Sequence, residues 1–184
     1  SKQIFAGQGL LAAHTLKLIG QKVSKNALRH EVETFTDKIY TCVIPRDLHY
    51  IRERARRRGD KSVSAVAAFL GKALNIIPVI FGQGVEGKPV AKTRNFDMAV
   101  EKVMNYAVAR VEAGLLTPYV SLSCGLSWTE IEDLPGLNRL RDACEQNGVE
   151  LLLSQMGITS AIYVGPGSIC LALGAEPHEF SDFQ

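Results

Sequence analysis

Two runs rich in β-branched and aromatic residues, 76–81 and 89–93, flank the glycine-rich stretch Gly84-Val85-Glu86-Gly87. Glycines at such a spacing supply the backbone conformations a tight reversal needs, so the two runs read as strands joined in an antiparallel hairpin. Once a hairpin is present, the remaining segments must bury its apolar face. Further strands are expected at 40–44, stopped by Pro45, at 119–124, where apolar and small polar residues alternate, and at 149–153. The last apolar stretch, 161–173, is interrupted by Gly165-Pro166-Gly167.

Between these runs the hydrophobic period changes to that of a helix. Ala12, Leu16, Ile19 and Val23 recur at helical spacing after Gly9. Ser24 is placed to cap a second helix with Leu28, Val32, Phe35 and Ile39 on one face. Asp47 would cap a third, carrying Leu48, Ile51 and Ala55, and 64–74 reads as a fourth. Asn95 opens a long helix with Val100, Val103, Ala107 and Val111 aligned, ended by Gly114. A further helix spans 137–146 and stops at Asn147-Gly148. The pattern predicts an α/β fold, a two-layer α+β sandwich whose mixed, largely antiparallel sheet has helices packed chiefly on one face.

Composition narrows the function. Lys+Arg number 21 and Asp+Glu 19, a formal charge of +2, without the basic excess of a nucleic-acid-binding protein. No run approaches the ~18 apolar residues that would span a bilayer. Cys42, Cys124, Cys144 and Cys170 have neither C-x-x-C spacing nor a nearby histidine, so they read as reduced core thiols. The expected setting is cytoplasmic.

Catalytic motifs are absent. G-x-S-x-G does not occur, Gly7-Gln8-Gly9 lacks the third glycine of a dinucleotide site, and His14, His30, His49 and His178 are scattered. Neither a metal site nor catalytic residues are expected. Arg52, Arg54, Arg56, Arg57 and Arg58 would spread around a helix, mostly as solvated charge, although one could reach an anion in a pocket. Gly165 and Gly167 around Pro166 permit close backbone approach to a ligand, beside Tyr163. A plain turn, with Tyr163 packed nearby, accounts for the same residues.

In order, Gly7-Gln8-Gly9-Leu10-Leu11, Asp47-Leu48-His49-Tyr50-Ile51-Arg52, Leu70-Gly71-Lys72-Ala73-Leu74-Asn75-Ile76-Ile77-Pro78-Val79, Pro89-Val90-Ala91-Lys92-Thr93-Arg94 and Val164-Gly165-Pro166-Gly167 form a series. This series resembles the second domain of the DegV family of fatty-acid-binding proteins (the EDD-domain proteins). The resemblance implies a bacterial, cytoplasmic, non-catalytic lipid carrier. It would hold one long-chain fatty acid, with no other cofactor, and present the carboxylate to a fatty acid kinase. It also implies a C-terminal lipid-binding domain over 1–175 and a polar, loose tail over 176–184, with the family's N-terminal domain outside this sequence. The family's histidine before G-P-G falls on Tyr163, and its Gly-Arg pair on Lys61-Ser62. The ligand-binding residues implied are Tyr163, Gly165, Gly167, Ser62, Lys61 and Arg58. Two other readings stand beside the carrier. One is a docking domain without ligand; the other is an enzyme on a small acyl or phosphorylated compound, with Lys61, Arg58 and Tyr163 as its anion site. A domain built to pack against a missing half should expose apolar surface and self-associate, so a homo-oligomer is expected.

Overall fold

A computed structural model describes residues 3–48, 50, 76–83 and 86–183. The expected third and fourth helices, His49, the arginine run, Arg58, Lys61 and Ser62 lie outside the described residues, apart from Asp47, Leu48 and Tyr50 at the start. There the Asp47 carboxylate accepts the Tyr50 N–H at 3.3 Å, as a capping aspartate would.

The described elements run α1 (Ala6–Gly20), α2 (Lys25–Thr36), β1 (Ile39–Ile44), β2 (Ile77–Gln83), β3 (Glu86–Thr93), α3 (Phe96–Ala113), β4 (Tyr119–Cys124), α4 (Trp128–Glu132), α5 (Leu137–Gln146), β5 (Glu150–Gln155), α6 (Ile158–Val164) and β6 (Ile169–Gly174). The strands form one open six-stranded sheet in the order β3-β2-β1-β6-β4-β5. Only β4 and β5 pair in parallel, so the sheet is mixed and largely antiparallel, as the hairpin spacing predicts. The hairpin is longer and tighter than 76–81 and 89–93 suggest, with Gln83 opposite Glu86. Pro89 is accommodated because β3 is an edge strand and the register shifts between Val79 and Ile80, beside it.

Both faces of the central strands are buried. Tyr40, Cys42, Ile44, Val120, Leu122, Ile169, Leu171 and Leu173 meet Val100, Val103, Met104 and Ala107 of α3 and Leu137 and Leu140 of α5. The larger helical layer, α3 to α5, lies on this face. The opposite face is also covered: Ile39, Val43, Cys170 and Ala172 pack with Ala6, Leu10 and Leu11 of α1, Phe35 of α2 and Val164 of α6. Strand β6 is therefore buried at every position. The caps expected at Ser24 and Asn95 are present, accepting the N–H groups of Ala27 at 3.3 Å and Met98 at 2.9 Å. All four cysteines are free and buried. Burial pushes the Cys124 and Cys170 thiols up to about 12, Cys144 to about 11, and Cys42 well above its ordinary value.

Two expectations are corrected. The α1 stripe through Leu16 and Ile19 is 67% and 53% exposed; Ala6, Gly7, Leu10 and Leu11 are buried instead. The contact forms in the first two turns because glycines let the backbone approach the sheet. A Cβ on Gly9 would stand 3.3 Å from the Ser121 hydroxyl oxygen. The tail is not loose either. Phe180 is 2% exposed, stacked on Tyr106 with ring centroids 5.0 Å apart. His178 shares a 2.7 Å hydrogen bond with the Tyr106 hydroxyl.

Candidate functional site

Of the six ligand-binding residues expected from sequence, the structure brings Tyr163, Gly165 and Gly167 together at the end of α6. Arg58, Lys61 and Ser62 lie outside the described residues. The segment 158–164, read from sequence as an interrupted apolar stretch, is a short helix. It ends where Gly165 adopts φ +89° and its N–H bonds to the Ala161 carbonyl at 2.8 Å. Gly167 follows at φ +75°. Both angles lie where a side chain clashes with its own backbone, so the turn needs glycine on either side of Pro166.

The turn is held from below by β4 and from the sides by the exit of β1. Gly125 donates its N–H to the Ser168 carbonyl at 2.8 Å, and its carbonyl accepts the Gly167 N–H at 3.0 Å. The wholly buried Ser168 donates its hydroxyl to the Val164 carbonyl at 2.8 Å and accepts the Arg46 N–H at 3.3 Å. A Cβ on Gly165 would sit 3.1 Å from the Tyr50 ring, and one on Gly167 only 2.6 Å from Cδ of Arg46. The Tyr50 hydroxyl donates to the Ile162 carbonyl at 2.8 Å. The Arg46 guanidinium lies over the Phe96 ring, 4.7 Å from its centroid.

Sequence reasoning does not single out Arg46, Tyr50, Ser168 or Gly125 as partners of the turn. The signals available are Gly125 directly after a strand, Ser168 directly after Gly167, and Tyr50 within the Asp47–Arg52 motif.

The side of α6 leading into the turn stays open. Ile158 is 82% exposed, Ile162 50% and Tyr163 42%. On the sheet face beneath α1, the small residues Thr41, Ser121, Ser123, Cys170 and Ala172 point inward beside the larger Ile39 and Val43. At the opposite end of β1 an open depression of about 630 Å³ is lined by Tyr40, Phe81, Gln83, Lys88, His178 and Glu179. A 2.8 Å Lys88–Glu179 ion pair lies on its rim. Among the described residues no group of three or more His, Cys, Asp and Glu side chains is placed to hold a metal. No helix among them is long and apolar enough to cross a membrane.

Comparison with known proteins puts this fold in a family. The family model described as uncharacterised protein, DegV family, matches residues 1–176. DegV domain-containing proteins of Xanthomonas axonopodis pv. citri and Xanthomonas campestris pv. campestris are each 40% identical over 178 residues, 97% of this chain. This chain spans 57% of the length of each. Among solved structures, a stearic acid-binding protein from Eubacterium ventriosum superposes with TM-score 0.73 at 17% identity, over 94% of this chain and 57% of that one. DegV, a fatty acid binding protein from Bacillus subtilis, gives 0.67 at 19% identity, over 92% and 57%. The Streptococcus pneumoniae fatty acid kinase (Fak) B3 protein, loaded with linoleic acid, gives 0.69 at 14%, over 91% and 55%. With a family model matching nearly end to end and relatives at 40% identity, the chain belongs to the DegV family.

Proposed function

We propose that this domain is the C-terminal half of a non-catalytic fatty-acid carrier, working in the cytoplasm and presenting the acyl carboxylate to a fatty acid kinase. The observation that carries the reading is the union of an exposed apolar helix edge with a rigid polar turn. Ile158 and Ile162 offer surface to an acyl chain, and α6 ends at Tyr163 and the Gly165-Pro166-Gly167 backbone. An acyl chain needs apolar walls, each CH₂ contributing roughly 0.8 kcal/mol when sheathed, whereas its carboxylate needs a few fixed donors. The fatty acids named with the similar structures support the same ligand class.

In this reading Tyr163 donates its hydroxyl to the carboxylate, and Gly165 and Gly167 allow the ligand close to the backbone. Arg58, Lys61 and Ser62, implied by the resemblance, are the further candidates for the head group. The remaining length of the relatives corresponds to a second domain that completes the head-group site. A domain with its apolar edge bare self-associates, so the isolated form is a dimer or larger.

Native mass spectrometry of the full natural chain, gently purified, tests the proposal. A co-purifying mass in the fatty-acid range is expected. A protein that carries no such mass, and takes up no fatty acid when it is supplied, is a docking domain instead.

A further inference from the structure

Tyr163, at the end of α6, can donate a hydrogen bond, but a phenol has no positively charged form. The structure sets a cation against the same turn. We propose that Arg46 supplies the positive charge that receives the carboxylate of a fatty acid at the Gly165-Pro166-Gly167 turn, an assignment that rests on the carrier reading above.

Arg46 is held as a binding cation would be held. Its backbone N–H is bonded to the Ser168 hydroxyl oxygen at 3.3 Å, inside the turn. Its stem lies so close to Gly167 that an added Cβ would be 2.6 Å from Cδ. Its guanidinium lies over the Phe96 ring, 4.7 Å from the centroid, a neighbour that holds the charge in place without offering it an oxygen acceptor. Among the described residues that guanidinium makes no ion pair within 4.0 Å and no side-chain hydrogen bond.

Two carboxylates in its neighbourhood, Asp47 next to it in the chain and Glu130, hold bonds to other groups. Asp47 accepts the Tyr50 N–H, and Glu130 accepts both the N–H and the hydroxyl of Ser127, at 2.8 and 2.7 Å. Those Ser127 bonds, with the charge of Arg46 as a smaller cause, hold the Glu130 carboxyl below its usual range. An arginine whose guanidinium takes no ion-pair or hydrogen-bond partner among the described residues, on a stem crowded against the turn, is suited to bind a carboxylate through two parallel bonds.

The test measures binding of octadecanoic acid and of octadecanol to the full natural chain and to its R46Q and R46K variants. The alcohol keeps the acyl tail and removes the charge. Wild-type protein is expected to prefer the acid. R46Q should lose about ten-fold to a hundred-fold in affinity for the acid, the range of a charge-assisted bond, with affinity for the alcohol unchanged. R46K should fall between, because an ammonium keeps the charge but lacks the planar fork. If R46Q binds the acid as tightly as wild type, or loses acid and alcohol equally, Arg46 is not the carboxylate partner. If wild type binds neither ligand, the carrier reading itself has failed and the assignment falls with it.

Discussion

Replacing Gly125 with alanine tests whether the turn is rigid for the reason its geometry suggests. Gly125 has an ordinary backbone conformation, so an added methyl costs nothing locally. The cost lies opposite, where the new Cβ would meet the Gly167 nitrogen at 3.0 Å and the Ser168 nitrogen and oxygen at 3.3 Å. All three are backbone atoms that cannot rotate away. The β4 end must separate from the turn, straining or breaking the 2.8 and 3.0 Å bonds between Gly125, Ser168 and Gly167. Two such bonds at about 1 kcal/mol each, with overpacking of about 1 kcal/mol or more, come to about 3 kcal/mol. For a chain of this size that lowers the melting temperature by roughly 6–12 °C. Thermal and urea denaturation followed by circular dichroism would measure it. Gly20→Ala, at the last residue of α1 with nothing within 4 Å of its Cβ, should instead stabilise by about 0.5–1 kcal/mol. A Gly125→Ala protein as stable as wild type would show that the turn tolerates displacement and is not stitched to β4.

Three further substitutions probe other parts of the molecule. Tyr163→Phe keeps the ring and deletes the donor; octadecanoic acid affinity in the full natural chain should drop about ten-fold with little change in melting temperature, and unchanged affinity would remove Tyr163 from the site. Phe180→Ala opens a hole beside Tyr106 and Phe81 and should cost about 3–5 kcal/mol in denaturant titrations; a loss below about 1 kcal/mol would mean the tail packs only loosely. His14 is stacked on Phe35 at 3.9 Å, and burial, with Lys17 nearby, holds its pKa below the ordinary 6.5. The unfolded chain therefore binds its proton first, and stability falls as pH drops below about 6.5 toward the lower folded value. The melting temperature of wild type minus that of His14→Gln should shrink between pH 7.5 and 5, and a constant difference would refute the coupling.

Much of the fold was legible because its signals are local. The Ser24 and Asn95 caps and the period of Val100, Val103, Ala107 and Val111 each report on neighbours within a few residues and are found as read, and the hairpin's two strands pair antiparallel, over more residues than expected. What failed depends on tertiary packing. The apolar spacing of Leu16 and Ile19 is sound helix grammar, yet α1 touches the sheet through Leu10 and Leu11, where Gly7 and Gly9 allow close approach. Helix α6 hid because Gly157, Gly165 and Pro166 punctuate seven residues too closely for a period to emerge. The polar composition of the tail concealed Phe180, whose burial depends on Tyr106 more than seventy positions earlier in the chain. At the site, Tyr163, Gly165 and Gly167 lie within one five-residue stretch and could be singled out, whereas Arg46 and Gly125 come from distant segments.

The identity of the charge at the turn is a matter of strand register. Strand β1 runs antiparallel to β6 with Ile44 opposite Ile169, so two steps beyond the ladder Arg46 falls opposite Gly167. On the other side Cys124 is opposite Ile169, and one step further Gly125 falls opposite Ser168, where its bond to the Ser168 carbonyl is found. Cross-strand neighbours bring their Cβ atoms within about 4.5–5.5 Å. That spacing accounts for the crowding of the Arg46 stem against Gly167. A slip of one residue in the β1–β6 pairing would place Pro45 or Asp47 beside the turn, removing the cation or replacing it with a carboxylate, and would turn Tyr40, Cys42 and Ile44 out of the α3 face. The apolar pattern that buries β1 therefore also selects arginine as the residue beside the turn, and the core cannot change register without changing the charge offered to a ligand.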